Sequence, residues 1–174
     1  MIHRSSGQKG APRVYGDRLR AAALVNGAIS HALDYDDTHF AHIGHPSVAV
    51  LPAALATAEA VDAPASAVLD ALLLGAEASI RVGVALGRPH YDRGFHQTAT
   101  SGAFGATVAA ARVLGLNRET TRHALSLVST RASGLKSQFG SMGKPYNAGL
   151  AAANGVEAAE LARRGFLSCD DGNR

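Results

Sequence analysis

The chain reads as all-α, a bundle of about six helices. Three observations predict this. Apolar residues make up 47% of the 174 residues but aromatics only 5%, with no Trp, so the apolar mass is mostly Ala, Leu and Val. Alanine-rich segments containing glycine suit closely packed helices better than a sheet core. No stretch alternates apolar and polar residues as a half-buried strand does, and there is no internal repeat. Caps and stops also punctuate the chain at helical lengths.

Taken in order, residues 1–16 are polar and carry Gly7, Gly10, Pro12 and Gly16, which reads as a flexible N-terminal segment. Asp17 is the expected N-cap of a first helix running to about Leu33. Gly44 and Pro46 mark a loop over 39–46, and Ser47 is the expected cap of a second helix to about Ala60. Pro64 opens a third, long helix to about Leu86, with Asp70, Glu77 and Arg81 on its polar face. Residues 87–94 read as a turn, and Thr98 to Leu114 as a small-residue helix. Gly115 stops that helix, Asn117 caps the next, and the next runs from Glu119 to Ser129. The glycine-rich stretch 134–145 reads as loop, and Asn147 to Arg164 as the last helix, with Gly165 just beyond it. The expected organisation is a flexible segment 1–16, a helical domain 17–167 and a polar tail 168–174.

Composition narrows the function classes. The length is that of one domain. A formal net charge of +3, without a long basic run, gives no case for nucleic acid and a weak one for small anions. The single cysteine, Cys169, rules out a disulfide framework or a cysteine-built cluster within one chain. A reducing cytoplasm fits. Every long apolar stretch is interrupted by Gly, Glu, Asp or Arg, so no membrane partner is expected.

The chemistry gathers in one run, His31-Ala-Leu-Asp34-Tyr-Asp36-Asp37-Thr38-His39-Phe-Ala-His42-Ile-Gly-His45-Pro-Ser47. Three acidic side chains, a threonine and four histidines within seventeen positions are costly to bury unless they pair or bind something. Asp34 and Thr38 are four apart and share a face if the helix continues, either as a substrate-holding pair or as polar decoration at a helix end. His39, His42 and His45 recur every three residues and with Asp36 or Asp37 offer nitrogen and oxygen ligands to Zn or Mn. Gly44 and Pro46 break the regular helix such a metal site would need, so no metal is expected and His39 and His42 read as exposed loop histidines. His96 precedes a helix, where an imidazole is well placed to handle a proton. Lys144 is either a carboxylate-binding ammonium or an ordinary surface lysine. Gly140-Ser-Met-Gly143-Lys144-Pro145 lacks the spacing and the hydroxyl residue of a phosphate-binding loop.

Asp34-Tyr-Asp36-Asp37-Thr38 followed by His45-Pro-Ser47 resembles the MmgE/PrpD family. So do Gly94-Phe95-His96-Gln-Thr98 leading into Gly102-Ala-Phe-Gly105, Ser129 to Gly134, and Gly143-Lys144-Pro145 before Ala148-Gly149. The four motifs stand in the family's order over about residues 15–167. The resemblance implies part of a helical domain, with the family's smaller α/β domain lying outside this chain. It implies a fragment of a cofactor-independent lyase, a dehydratase or decarboxylase of a small di- or tricarboxylate such as 2-methylcitrate. A small helical piece of this kind folds if a partner covers its exposed apolar faces, so a homo-oligomer, as a dimer, is expected. His96, His45 and Asp34 match the family's catalytic positions. Thr38, Lys144 and Tyr146 are the expected substrate-binding residues. Many members carry Leu-His after Lys-Pro, where this chain has Tyr146-Asn147. A family epimerase or isomerase, a catalytically inactive helical oligomerisation fragment, and a metal-dependent hydrolase stand as alternatives.

Overall fold

The structure, a computed structural model, describes residues 12–169. These form six α-helices and one 3-10 turn: α1 Pro12–Ser30, α2 Ser47–Val61, α3 Ala65–Asp92, α4 Gln97–Val113, α5 Arg118–Ser129, the turn Lys136–Gln138, and α6 Gly143–Arg163. No sheet occurs among the described residues; the only β features are isolated bridges at His39–Gly44 and Phe95–Leu135. The all-α architecture is as the sequence reads. No described helix is long and apolar enough to cross a membrane.

α4 is the central helix, packed against α2, α3, α5 and α6, while α1 lies across α2 and α6. Its composition explains its place. Ala99, Ala103, Ala106, Ala109 and Ala110 are fully buried, so the helix meets neighbours on several sides with no large side chain to hold them off. Where α3 crosses α4, a Cβ on Gly105 would stand 2.5 Å from the Gly75 carbonyl oxygen, so only glycine permits this approach. The main core joins Leu19, Ala23, Ala53, Ala106, Ala152 and Val156 from α1, α2, α4 and α6. Such a core relies on close backbone approach, because each alanine removes little area from water.

Several boundaries differ from those expected. α1 begins at Pro12, a favourable first-turn residue, and passes through Asp17, which is therefore not a cap. It ends at Ser30 rather than near Leu33. Residues 1–11 of the expected flexible segment lie outside the described residues. α2 starts at Ser47 without a side-chain cap of its own, and the Ser47 hydroxyl instead donates to Asp37 (2.8 Å). α3 continues in name to Asp92, but Gly87 sits at φ 64°, ψ −174° and breaks it where the turn was expected. α6 starts at Gly143, so Lys144 and Pro145 belong to its first turn and not to a loop. Asn117 is a true cap, its side chain accepting from the Thr120 amide at 2.8 Å. The start of the polar tail is anchored, since the Ser168 hydroxyl donates to the His123 carbonyl at 2.6 Å; residues 170–174 lie outside the described part.

Candidate active site: a histidine–carboxylate–lysine cleft

The run after α1 does not continue as a helix. Asp34 adopts a left-handed backbone (φ 58°), so Asp34 and Thr38 are not stacked on a helical face. The turn instead sends the Asp34 carboxylate to the ammonium of Lys144, 2.5 Å away in the first turn of α6. His31, 1% exposed, places Nδ1 2.9 Å from both Asp36 oxygens. His45 sits between the two acids. Its Nε2 is 3.5 Å from Asp34, and its Nδ1 is 3.2 Å from Asp36, close enough to ion-pair without hydrogen-bond alignment. The His45 amide donates to the Thr98 hydroxyl at 3.1 Å, tying the loop to α4.

His42 supports this arrangement from beneath. Contrary to its reading as an exposed loop histidine, it is fully buried. Its Nε2 lies 2.7 Å from the Ser101 hydroxyl and 3.2 Å from that of Ser79. The Ser101 proton goes to the Gln97 carbonyl (2.6 Å), so Ser101 accepts and His42 Nε2 donates. Burial lowers the His42 pKa to about 4 and keeps the ring neutral. His39 accepts the His42 amide at 3.2 Å. Asp37 accepts from the amide and hydroxyl of Ser47. The Asp36, Asp37, His39 and His42 groups therefore point to separate partners and do not form the metal cluster considered from spacing.

His96 occupies the N-cap position of α4 and is 2% exposed. Its amide donates to the Gly134 carbonyl at 3.0 Å. The ring stacks 6.0 Å from that of His31 and meets the edge of Phe139 at 5.0 Å. Burial is the main force lowering its pKa to about 3.

A cleft of about 340 Å³ opens over these groups, lined by Thr38, His45, His96, Thr98, Phe139 and Lys144, with Arg88 and Tyr91 on the segment after the Gly87 break. Four of the expected site residues, Thr38, His45, His96 and Lys144, thus share one cleft, and Asp34 contacts two of them. Tyr146 does not join them; it lines a separate apolar pocket of about 520 Å³ between the end of α1 and the start of α6. Its ring leaves the helix on that side because Lys144 already faces the cleft, and adjacent helical positions diverge.

The electrostatics suit an anion with a proton to move. The Asp34 carboxyl is held below its usual range by the Lys144 hydrogen bond. Asp36 is held low as well: burial opposes ionisation, but the hydrogen bonds to His31 and the neighbouring His45 ring outweigh it. Asp36 in turn raises the His45 pKa, favouring the imidazolium. The cleft therefore presents the Lys144 ammonium and a His45 ring whose protonated form Asp36 favours, beside a neutral imidazole, His96. One ligand atom each from His31, Asp34, Asp36 and His45 lies within 4.8 Å of the others, a set that could suit a divalent transition metal. Lys144 and the histidines already compensate those carboxylates, so the donors are matched internally.

Three participants escaped the sequence reading of the site. His31 and Asp36 lie within the acidic run, but spacing alone does not say which carboxylate turns inward. Asn147 lies three residues after Lys144, a same-face relation that appears once α6 is known to begin at Gly143.

The structure is thus a helical domain whose cleft gathers paired carboxylates, histidines and a lysine. Residues 4–171 match the MmgE/PrpD N-terminal domain, and the chain belongs to the MmgE/PrpD family. It is 35% identical over 167 residues to a cis-aconitate decarboxylase-like protein, oryM, of Aspergillus oryzae, covering 91% of this chain and 34% of that protein. It is 37% identical over 150 residues to human cis-aconitate decarboxylase, covering 83% of this chain and 31% of that one. It is 35% identical over 168 residues to cis-aconitate decarboxylase of Aspergillus terreus, covering 90% and 34%. The chain spans about a third of the length of these relatives.

Proposed function

We propose that this chain carries the substrate cleft of a cofactor-independent lyase acting on a small di- or tricarboxylate, with decarboxylation of cis-aconitate as the leading reaction. One observation carries the reading: the Lys144 ammonium and His45, whose imidazolium Asp36 favours, share a cleft with the neutral His96. The names of the relatives favour cis-aconitate over 2-methylcitrate.

In this reading Lys144 and His45 bind carboxylate groups, and Asp34 and Thr38 orient them. The C–C bond to one carboxylate breaks and CO2 leaves. The electron pair stays on carbon and spreads into the remaining conjugated system, where the cations stabilise it. The His45 imidazolium, which Asp36 favours, then delivers its proton to that carbon and is reprotonated from solvent. Dehydration or epimerisation of a related acid would use the same groups, with proton removal as the first half.

The test is turnover of cis-aconitate and 2-methylcitrate, followed by NMR of the product mixture. Loss of CO2 from cis-aconitate at a rate abolished by His96→Ala supports the reading. Binding without turnover would favour a non-catalytic helical piece, and dehydration of 2-methylcitrate alone would redirect the assignment. We extend the proposal to a homodimer in the cytoplasm. Leu69, Leu73 and Leu74 on α3 are 50–71% exposed, an apolar stripe suited to a second copy. A monomer at micromolar concentration by light scattering would remove that part.

A further inference from the structure

We propose that Asn147 is a positioning residue that holds the His96 ring in the tautomer bearing its proton on Nε2, so that His96 presents a hydrogen-bond donor to the cleft. Asn147 is 8% exposed, and its Nδ2 lies 3.4 Å from both the Leu135 carbonyl oxygen and His96 Nδ1. A carbonyl oxygen can only accept, so the amide group facing Leu135 is the NH2. That same NH2 faces His96 Nδ1, which must therefore accept. A neutral imidazole accepting at Nδ1 carries its hydrogen on Nε2. Burial keeps this ring neutral, as the low pKa of about 3 records. Among the described residues no protein hydrogen bond engages Nε2, and the ring lines the cleft.

One short backbone segment organises both side chains. The Gly134 carbonyl accepts the His96 amide at 3.0 Å, and the next carbonyl, that of Leu135, orients Asn147. Gly134 has φ 131°, and a Cβ there would stand 2.6 Å from that of Ala99. Only glycine lets this segment lie against α4. The consequence for chemistry rests on the function proposed above. With Nε2 protonated and Nδ1 engaged, the neutral His96 is built to donate a hydrogen bond to a developing anion, and neither to abstract a proton nor to give one up to carbon. If the substrate demands proton removal, that task falls to another group.

The tautomer can be read directly from long-range 1H–15N NMR spectra of the whole chain at neutral pH, with His96 assigned through His96→Gln. In the wild type, Nε2 should resonate as the protonated nitrogen and Nδ1 as the bare one. Asn147→Asp replaces the donor by a group that only accepts, and should shift the balance towards the Nδ1–H form by about tenfold. Asn147→Leu keeps the bulk, removes the donor and should give a mixture. A wild-type ring protonated at Nδ1 would overturn the proposal. So would an unchanged tautomer ratio in a folded Asn147→Leu chain, which decides the matter even if Asn147→Asp does not fold. Titration of the same samples with cis-aconitate reads the functional proposal separately. The predicted tautomers without binding would retire the lyase reading and keep the positioning role. Binding with the opposite tautomer would do the reverse.

Discussion

His42 and His96 begin from the same condition and end in different roles. Both rings are almost fully buried, and burial lowers both basicities, to about 4 and about 3. The difference lies in where their nitrogens point. His42 gives Nε2 to Ser101 and Ser79, inside the packing of α3 and α4. His96 gives Nδ1 to Asn147 and keeps its other nitrogen for the cleft. Burial alone therefore does not mark a functional histidine; an unspent nitrogen beside a cleft does.

The largest effect that would sharpen this contrast is on turnover. His96→Ala should lower the rate of carboxylate conversion about a hundredfold, as expected for a preorganised hydrogen-bond donor to developing charge, while the thermal midpoint moves little. Unaltered turnover would take His96 out of the chemistry. His42→Ala should do the opposite. It empties a packed site and removes the donor that the Ser101 and Ser79 hydroxyls face, which should destabilise the fold by about 3 kcal/mol in urea unfolding. A destabilisation below about 1 kcal/mol would show that the ring is not a support.

Acid offers a smaller, reversible version of the same test. Both histidines have folded pKa values below the ordinary 6.5. Their neutral forms favour the folded state, so this stability is full above about 6.5 and falls as pH drops towards 4. His45 has the opposite sign. Its pKa is raised by Asp36, so its contribution is full below the ordinary histidine value and is lost as pH rises through the raised one. Urea midpoints across pH 4 to 8 should therefore decline on the acid side, with the decline reduced in a folded His42→Gln chain. A flat profile would contradict the burial account. The smallest effect expected is at Asn117→Ala, where loss of the α5 cap should cost about 1 kcal/mol without touching the cleft.

Much of the fold was legible because helix ends are written in local chemistry. Asn117 caps because its side chain reaches an amide three residues on. Gly87 breaks α3 because it can adopt a positive φ. The start of α6 was hidden because Gly-Lys-Pro resembles a loop, although proline is well tolerated in a first helical turn. At the site, Lys144 and His96 were found through motif resemblance, yet the partners that decide their state were not. That Asp34 turns left-handed to meet a lysine 110 positions away is a tertiary fact. So is the burial of His42 against two serines from α3 and α4. Tyr146 was misplaced for a simpler reason: a loop reading gave no helical direction to separate it from Lys144.

The central claim is that the cleft binds carboxylate through Lys144 as the chain stands. Calorimetric titration of the purified chain with cis-aconitate, wild type beside Lys144→Met, tests it most directly. The account predicts saturable binding at one site per chain, weakened about tenfold when the ammonium is removed. Binding that is indifferent to Lys144→Met, or no binding by a folded wild-type chain, would contradict it.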